Sequence, residues 1–68
     1  MKFWIEDGEN QEHGFSDLTK AKKRARVLMC RRRKEGDSLP LVQVIAHDNS
    51  VSYHFCNAAQ GWAEDRNF

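Results

Sequence analysis

Between Asp17 and Lys34 the chain repeats its apolar residues with the period of an α-helix. Leu18, Ala21, Ala25, Leu28 and Met29 fall within about 100° of arc and form one stripe. Good helix formers fill the positions between them. Ser16 and Asp17 offer short side-chain oxygens to the unpaired amides of a first turn. Phe15 stands where a hydrophobic staple would pack, and Gly36 supplies a left-handed stop. The spacing predicts one helix over residues 17–34.

The flanking segments follow a different period. Residues 2–6 are short and rich in β-formers, with Phe3 and Ile5 on one side and Trp4 on the other. Residues 41–46 and 51–56 bracket the polar turn His47-Asp48-Asn49-Ser50 and read as a hairpin. With Asp48 and Asn49 central, Ala46 faces Val51, Val44 faces Tyr53 and Val42 faces Phe55. All six then share one face and make an apolar surface for the helix, whereas an odd-length loop scrambles both faces. Residues 7–14 are polar nearly throughout and read as a loop, although Asp7-Gly8 is a hairpin-type dipeptide. Residues 57–68 read as a tail, with Trp62 folding back over a sheet edge.

The predicted fold is therefore α+β, a single domain over residues 1–68 in the order β-α-β-β. It has a three-stranded, mainly antiparallel sheet with one amphipathic helix on one face. The antiparallel order sets the first strand beside the last; setting it beside the second requires a parallel crossover. A chain of 68 residues buries only roughly 60% of its unfolded surface, so added burial from a second copy is a recurrent solution.

Charge is distributed very unevenly. Nine of the eleven cationic side chains are Lys20, Lys22, Lys23, Arg24, Arg26, Arg31, Arg32, Arg33 and Lys34. Counting Asp17 and Glu35, the helical segment carries +7 and the remainder −6, which the net charge of +1 conceals. A cationic strip four turns long suits a phosphate backbone, which relieves the crowding of like charges and releases counterions. The residues assigned to that contact are Lys20, Lys23, Arg24, Arg26, Arg31, Arg33 and Lys34. Short polar side chains of the kind that read base edges are scarce there, so backbone contacts with little sequence specificity are expected, on DNA or RNA. A charged outer helix face is also an ordinary route to solubility, and Glu6, Asp7, Glu9 and Glu12 are placed to neutralise part of it. The alternative is an adaptor that docks its Arg-rich helix, with Val27 and Cys30 among the cations, on an acidic protein surface, or that recruits a partner on its outer sheet face.

The sheet face opposite the helix carries Trp4, Leu41, Ile45, His54 and Cys56. An exposed apolar cluster with an aromatic anchor marks an interface, either a two-fold homodimer or a seat for Trp62, Ala63 and Phe68 of the tail. His54 and Cys56 share a strand face with His47 nearby, yet no Cys-x-x-Cys or His-x-x-x-His pair accompanies them, so neither a metal site nor a nucleophile is expected. The glycines form no phosphate-binding loop, and no cofactor or small-molecule substrate is implied. The expectation is a non-enzymatic, cytoplasmic binding module. It shows no leader peptide, no membrane span and too few cysteines for a disulfide scaffold.

Overall fold

The computed structural model describes residues 2–37, 40–56 and 59–66. Its elements are β1 (Phe3–Asp7), β2 (Asn10–Phe15), α1 (Leu18–Lys34), β3 (Val42–Ala46), β4 (Val51–Cys56) and β5 (Gly61–Arg66). The class is α+β, but the sheet has five strands rather than three, in the order β2-β1-β3-β4-β5. Every neighbouring pair is antiparallel.

The segment expected to be a loop is the edge strand β2. Asp7 pairs with Asn10, so Gly8 and Glu9 form a two-residue turn with Gly8 at φ 63°. An edge strand needs no apolar alternation because one side and one flank stay in water, which is how polar residues 10–14 join the sheet. This strand also corrects the predicted order. It returns the chain before the helix begins, so β1 lies beside β3 and is antiparallel to it: Phe3 faces Ala46, and Ile5 faces Val44. A three-strand count has the wrong parity and places β1 beside the last strand.

At the other edge, residues 61–66 extend the sheet as β5 instead of folding over it, with Phe55 opposite Trp62 and His54 opposite Ala63. Residues 57, 58, 67 and 68 of the expected tail lie outside the described residues. The hairpin between β3 and β4 has the register that alternation predicts: Val44 faces Tyr53 and Ile45 faces Ser52. Its four-residue loop is even-numbered and closes when the Asn49 N–H donates to the Ala46 carbonyl at 2.8 Å.

Asp17 caps α1 by accepting the Thr19 N–H at 2.9 Å. At the other end the Gly36 N–H donates to the Arg33 carbonyl and the Asp37 N–H to the Arg32 carbonyl, the bonding pattern of a Schellman motif. The core consists of Ala21, Ala25, Leu28 and Met29 against Phe3, Ile5, Val42, Val44, Ala46 and Val51. Two alanines at 0% exposure let the helix sit close to the strands. Among the described residues the helix backbone packs on β1 and β3 and touches β2 at its flank, without approaching β4 or β5. None of the described helices is long and apolar enough to cross a membrane.

Ala25→Leu forces a branched side chain into that tight contact. It is expected to lose about 1–3 kcal/mol of stability, measured as a lower urea midpoint at unchanged slope.

Candidate functional site

All nine cations of α1 project from one rigid element, and its sequence includes no acidic residue. They go in three directions. Toward the β1–β2 hairpin, Arg24 Nε donates to Glu12 Oε1 at 2.9 Å and Arg24 Nη2 to Glu12 Oε2 at 3.0 Å. On the same flank Arg32 pairs with the Asp7 carboxylate and donates from Nη2 to the Asp7 carbonyl at 3.0 Å. Gly8 is favoured here by its positive φ, and a Cβ would come within 2.9 Å of the Arg32 guanidinium, which would have to shift to admit it.

Toward β4 and β5, Lys22 Nζ lies 4.8 Å from the Tyr53 ring centre and 5.5 Å from that of Trp62. Arg26 Cζ lies 3.9 Å above the Phe55 ring. Facing solvent are Lys20, Lys23, Arg31, Arg33 and Lys34, all exposed and without an ion pair to another described residue. The strip is therefore narrower than the wheel implies, because Arg24 and Arg26 turn toward the sheet. At 100° per residue Lys20, Lys23, Arg31 and Lys34 lie within about 80° of arc on the side away from the core. They form two i,i+3 pairs about 16 Å apart, with Val27 between them at 50% exposure.

The hairpin acids partly neutralise the helix, as their position before it suggests: Asp7 and Glu12 are engaged, whereas Glu6 and Glu9 make no ion pair with a described residue. The Arg24 hydrogen bond, reinforced by the charges of Arg24 and Arg31, holds the Glu12 carboxyl below its ordinary value despite some desolvation. Reciprocally, Glu12 raises Arg24. At the far end Arg31, Arg33 and Lys34 occupy the last turn, where cations gain about 0.3–1 kcal/mol each from the helix dipole.

On the open sheet face Trp4 and Ile45 are cross-strand neighbours, both half-buried, and Trp4 stacks on His13 at 5.5 Å and 12°. His54 and Cys56 lie on the same face of β4, where His54 Nδ1 is 3.4 Å from Asp65 Oδ2. Leu41 is 65% exposed beside Glu6, Gly8 and Gln43. Gln43, Ser52 and Asp65 intervene, so the face is mixed rather than a continuous apolar patch. Trp62 does not cover this face; strand parity puts it on the helix side, edge-on to Phe55 at 5.8 Å and 83°. No group of three or more His, Cys, Asp or Glu among the described residues is placed to hold a metal.

Tyr53, Phe55 and Trp62 form an aromatic cluster that the sequence reading did not isolate, all three half-buried. Burial and the adjoining Glu64 push the Tyr53 phenol above its ordinary value, so it stays neutral at physiological pH. The signal for Trp62 joining this cluster is weak, because Glu64 and Arg66 follow it on the same face of β5. No family model, characterised protein or solved structure matches this chain, so the functional argument rests on its own geometry.

Because the folded Glu12 carboxyl sits below its ordinary value of 4.5, its contribution is present above that pH and lost as pH falls through the folded value. Glu12→Gln is expected to flatten the stability profile below about pH 5. Both partners are about one-third exposed, so the cost at pH 7 stays under about 1 kcal/mol. Urea titrations at pH 3 to 7 measure both.

Proposed function

We propose that the protein is a non-enzymatic, nucleic-acid-associated module that holds the phosphate backbone on the outer surface of α1. One observation carries this reading: Lys20, Lys23, Arg31 and Lys34 are exposed, have no ion pair with a described residue and share one side of a helix devoid of acids. Arg33 flanks them. The paired cations Arg24 and Arg32 fix the helix on the sheet, so the remaining charges are presented at fixed spacing rather than on a mobile tail. A polyanion lowers the repulsion between them and releases its counterions. With side chains as long as lysine and arginine and few short polar groups, the contact is to backbone rather than to base edges.

A second reading is an adaptor that seats α1 on an acidic protein surface. It is favoured by the shallow groove of Arg26, Val27, Cys30, Arg31 and Lys34, where an apolar side chain lies amid cations. The two readings differ in their response to salt and to Val27. Four phosphate contacts give a salt slope near −3.6, so affinity for a mixed-sequence oligonucleotide is expected to fall about 150-fold between 50 and 200 mM salt. Lys23→Glu with Lys34→Glu is expected to abolish that binding while circular dichroism stays native. Val27→Ser leaves it within about twofold. Retention of oligonucleotide binding by the double variant, or a flat salt response, removes the phosphate reading; light scattering on the eluted complex counts the copies bound.

A further inference from the structure

The helix covers only part of the sheet face that it packs on. It sits over β1 and β3, while the helix-side surface of β4 and β5 presents Tyr53, Phe55 and Trp62 beyond its edge. In a closed core the side chains above such a trio are aliphatic. Here they are Lys22, shared between Tyr53 and Trp62, and Arg26, seated over Phe55. The nearest acid of β5, Glu64, is already held by Arg66 at 3.0 and 3.2 Å. By helical angle Arg33 shares this side of α1 with Lys22 and Arg26, and Lys23 stands next to it on the outer side, both exposed. Half-exposed π-faces walled by cations are complementary to an unpaired base with its phosphate, since rings accept the base and ammonium or guanidinium groups take the charge.

We propose that the β4–β5 half of the helix-side surface is a stacking platform for single-stranded nucleic acid, with bases on Trp62 and Tyr53 and phosphates along Lys22, Lys23 and Arg33. This rests on the phosphate reading above and names its substrate class. A duplex is excluded from this platform because its bases are already stacked on one another. Lys22 makes no ion pair with a described residue, and a cation over an exposed ring is held more weakly than a base stacked on it. A base therefore displaces the ammonium, which then turns to the adjoining phosphate. Arg26 stays over Phe55 and offers a planar cation of the kind on which bases also stack. Any base has a π-face, so binding here is indifferent to sequence.

The test is fluorescence anisotropy of the whole chain with a labelled dT oligonucleotide, a duplex of equal charge and inorganic polyphosphate as competitor. The expected result is a preference of about tenfold or more for the single strand, and a loss of about 5- to 150-fold in Trp62→Ala with polyphosphate competition unchanged. Trp62→Phe, which keeps a ring, is expected to remain within about threefold. Should Trp62→Ala not fold, Tyr53→Leu preserves apolar bulk and is expected to show the same selective loss. Equal affinity for single strand and duplex overturns the platform alone. So does an equal loss for oligonucleotide and polyphosphate, or a dimer that Trp62→Ala dissolves. Failure of the unaltered chain to bind polyphosphate overturns the phosphate reading, and the platform with it.

Discussion

Burial of the apolar stripe of α1 against the sheet holds the helix in place, and two ion pairs line one flank of that contact. Arg24 with Glu12 and Arg32 with Asp7 tie α1 to the β1–β2 hairpin along one flank, about two turns apart. An apolar stripe built on two alanines sets the height of the helix above the sheet but constrains its lateral position only loosely. The arginine pairs add to that constraint on the β1–β2 flank, and the helix backbone stops short of β4 and β5. Everything distinctive about the surface follows from that offset. The solvent-facing cations occupy the outer side of the helix, with Lys20 and Arg31 next to Arg24. The aromatic residues of β4 and β5 lie beyond the helix backbone, with Lys22 and Arg26 reaching across them.

The parts of the fold that bury a face are the parts that sequence periodicity could predict. Leu18, Ala21, Ala25, Leu28 and Met29 mark the packed side of α1 because burial selects apolar residues every three or four positions. The β3–β4 register was equally readable. Shifting it by one residue would turn Val44 and Tyr53 out to water. The two edge strands carry no such signature. Residues 10–14 alternate nothing apolar, and their pairing is enforced by the Gly8 turn and backbone hydrogen bonds rather than by side-chain burial. β5 buries Trp62 on one face, a single apolar signal in six residues. One missed strand then propagated into topology, since an additional reversal inverts the direction of everything that follows it.

The candidate site shows the same division between direction and partner. A helical wheel orders the cations by angle, and it places Lys20, Lys23, Arg31 and Lys34 on the outer side without reference to any other element. It cannot say that Glu12 lies within reach of Arg24, because that contact depends on the unrecognised strand β2. Nor can it say that Arg26 rests on Phe55, because that contact depends on how far the helix is displaced across the sheet. For the open face, strand parity placed Trp4, Ile45, His54 and Cys56 together with the interleaved Gln43 and Ser52, whereas Asp65 comes with the unrecognised edge strand β5.

Segregation of charge bears on whether the cationic helix is more than a soluble face. Solubility asks for mixed signs dispersed over the surface, and a small domain can meet that need without concentrating one sign. Of the acids without an ion pair to α1, Glu6 and Asp65 lie on the open sheet face and Glu9 and Asp48 in turns. Glu64 on the helix side is held by Arg66, and Asp17 and Glu35 stand at the two ends of the helix. The helix side of the sheet is thus predominantly cationic, with Glu64 neutralised by Arg66, while Glu6 and Asp65 stand on the open face. A polyanion meets attraction from one direction and repulsion from the other, so approach is oriented before contact is made. Dispersing the same charges would keep the chain equally soluble and remove that orientation. The repulsion between neighbouring lysines and arginines, offset by only two carboxylates of the fold, is a standing cost to the free protein that a bound polyanion relieves.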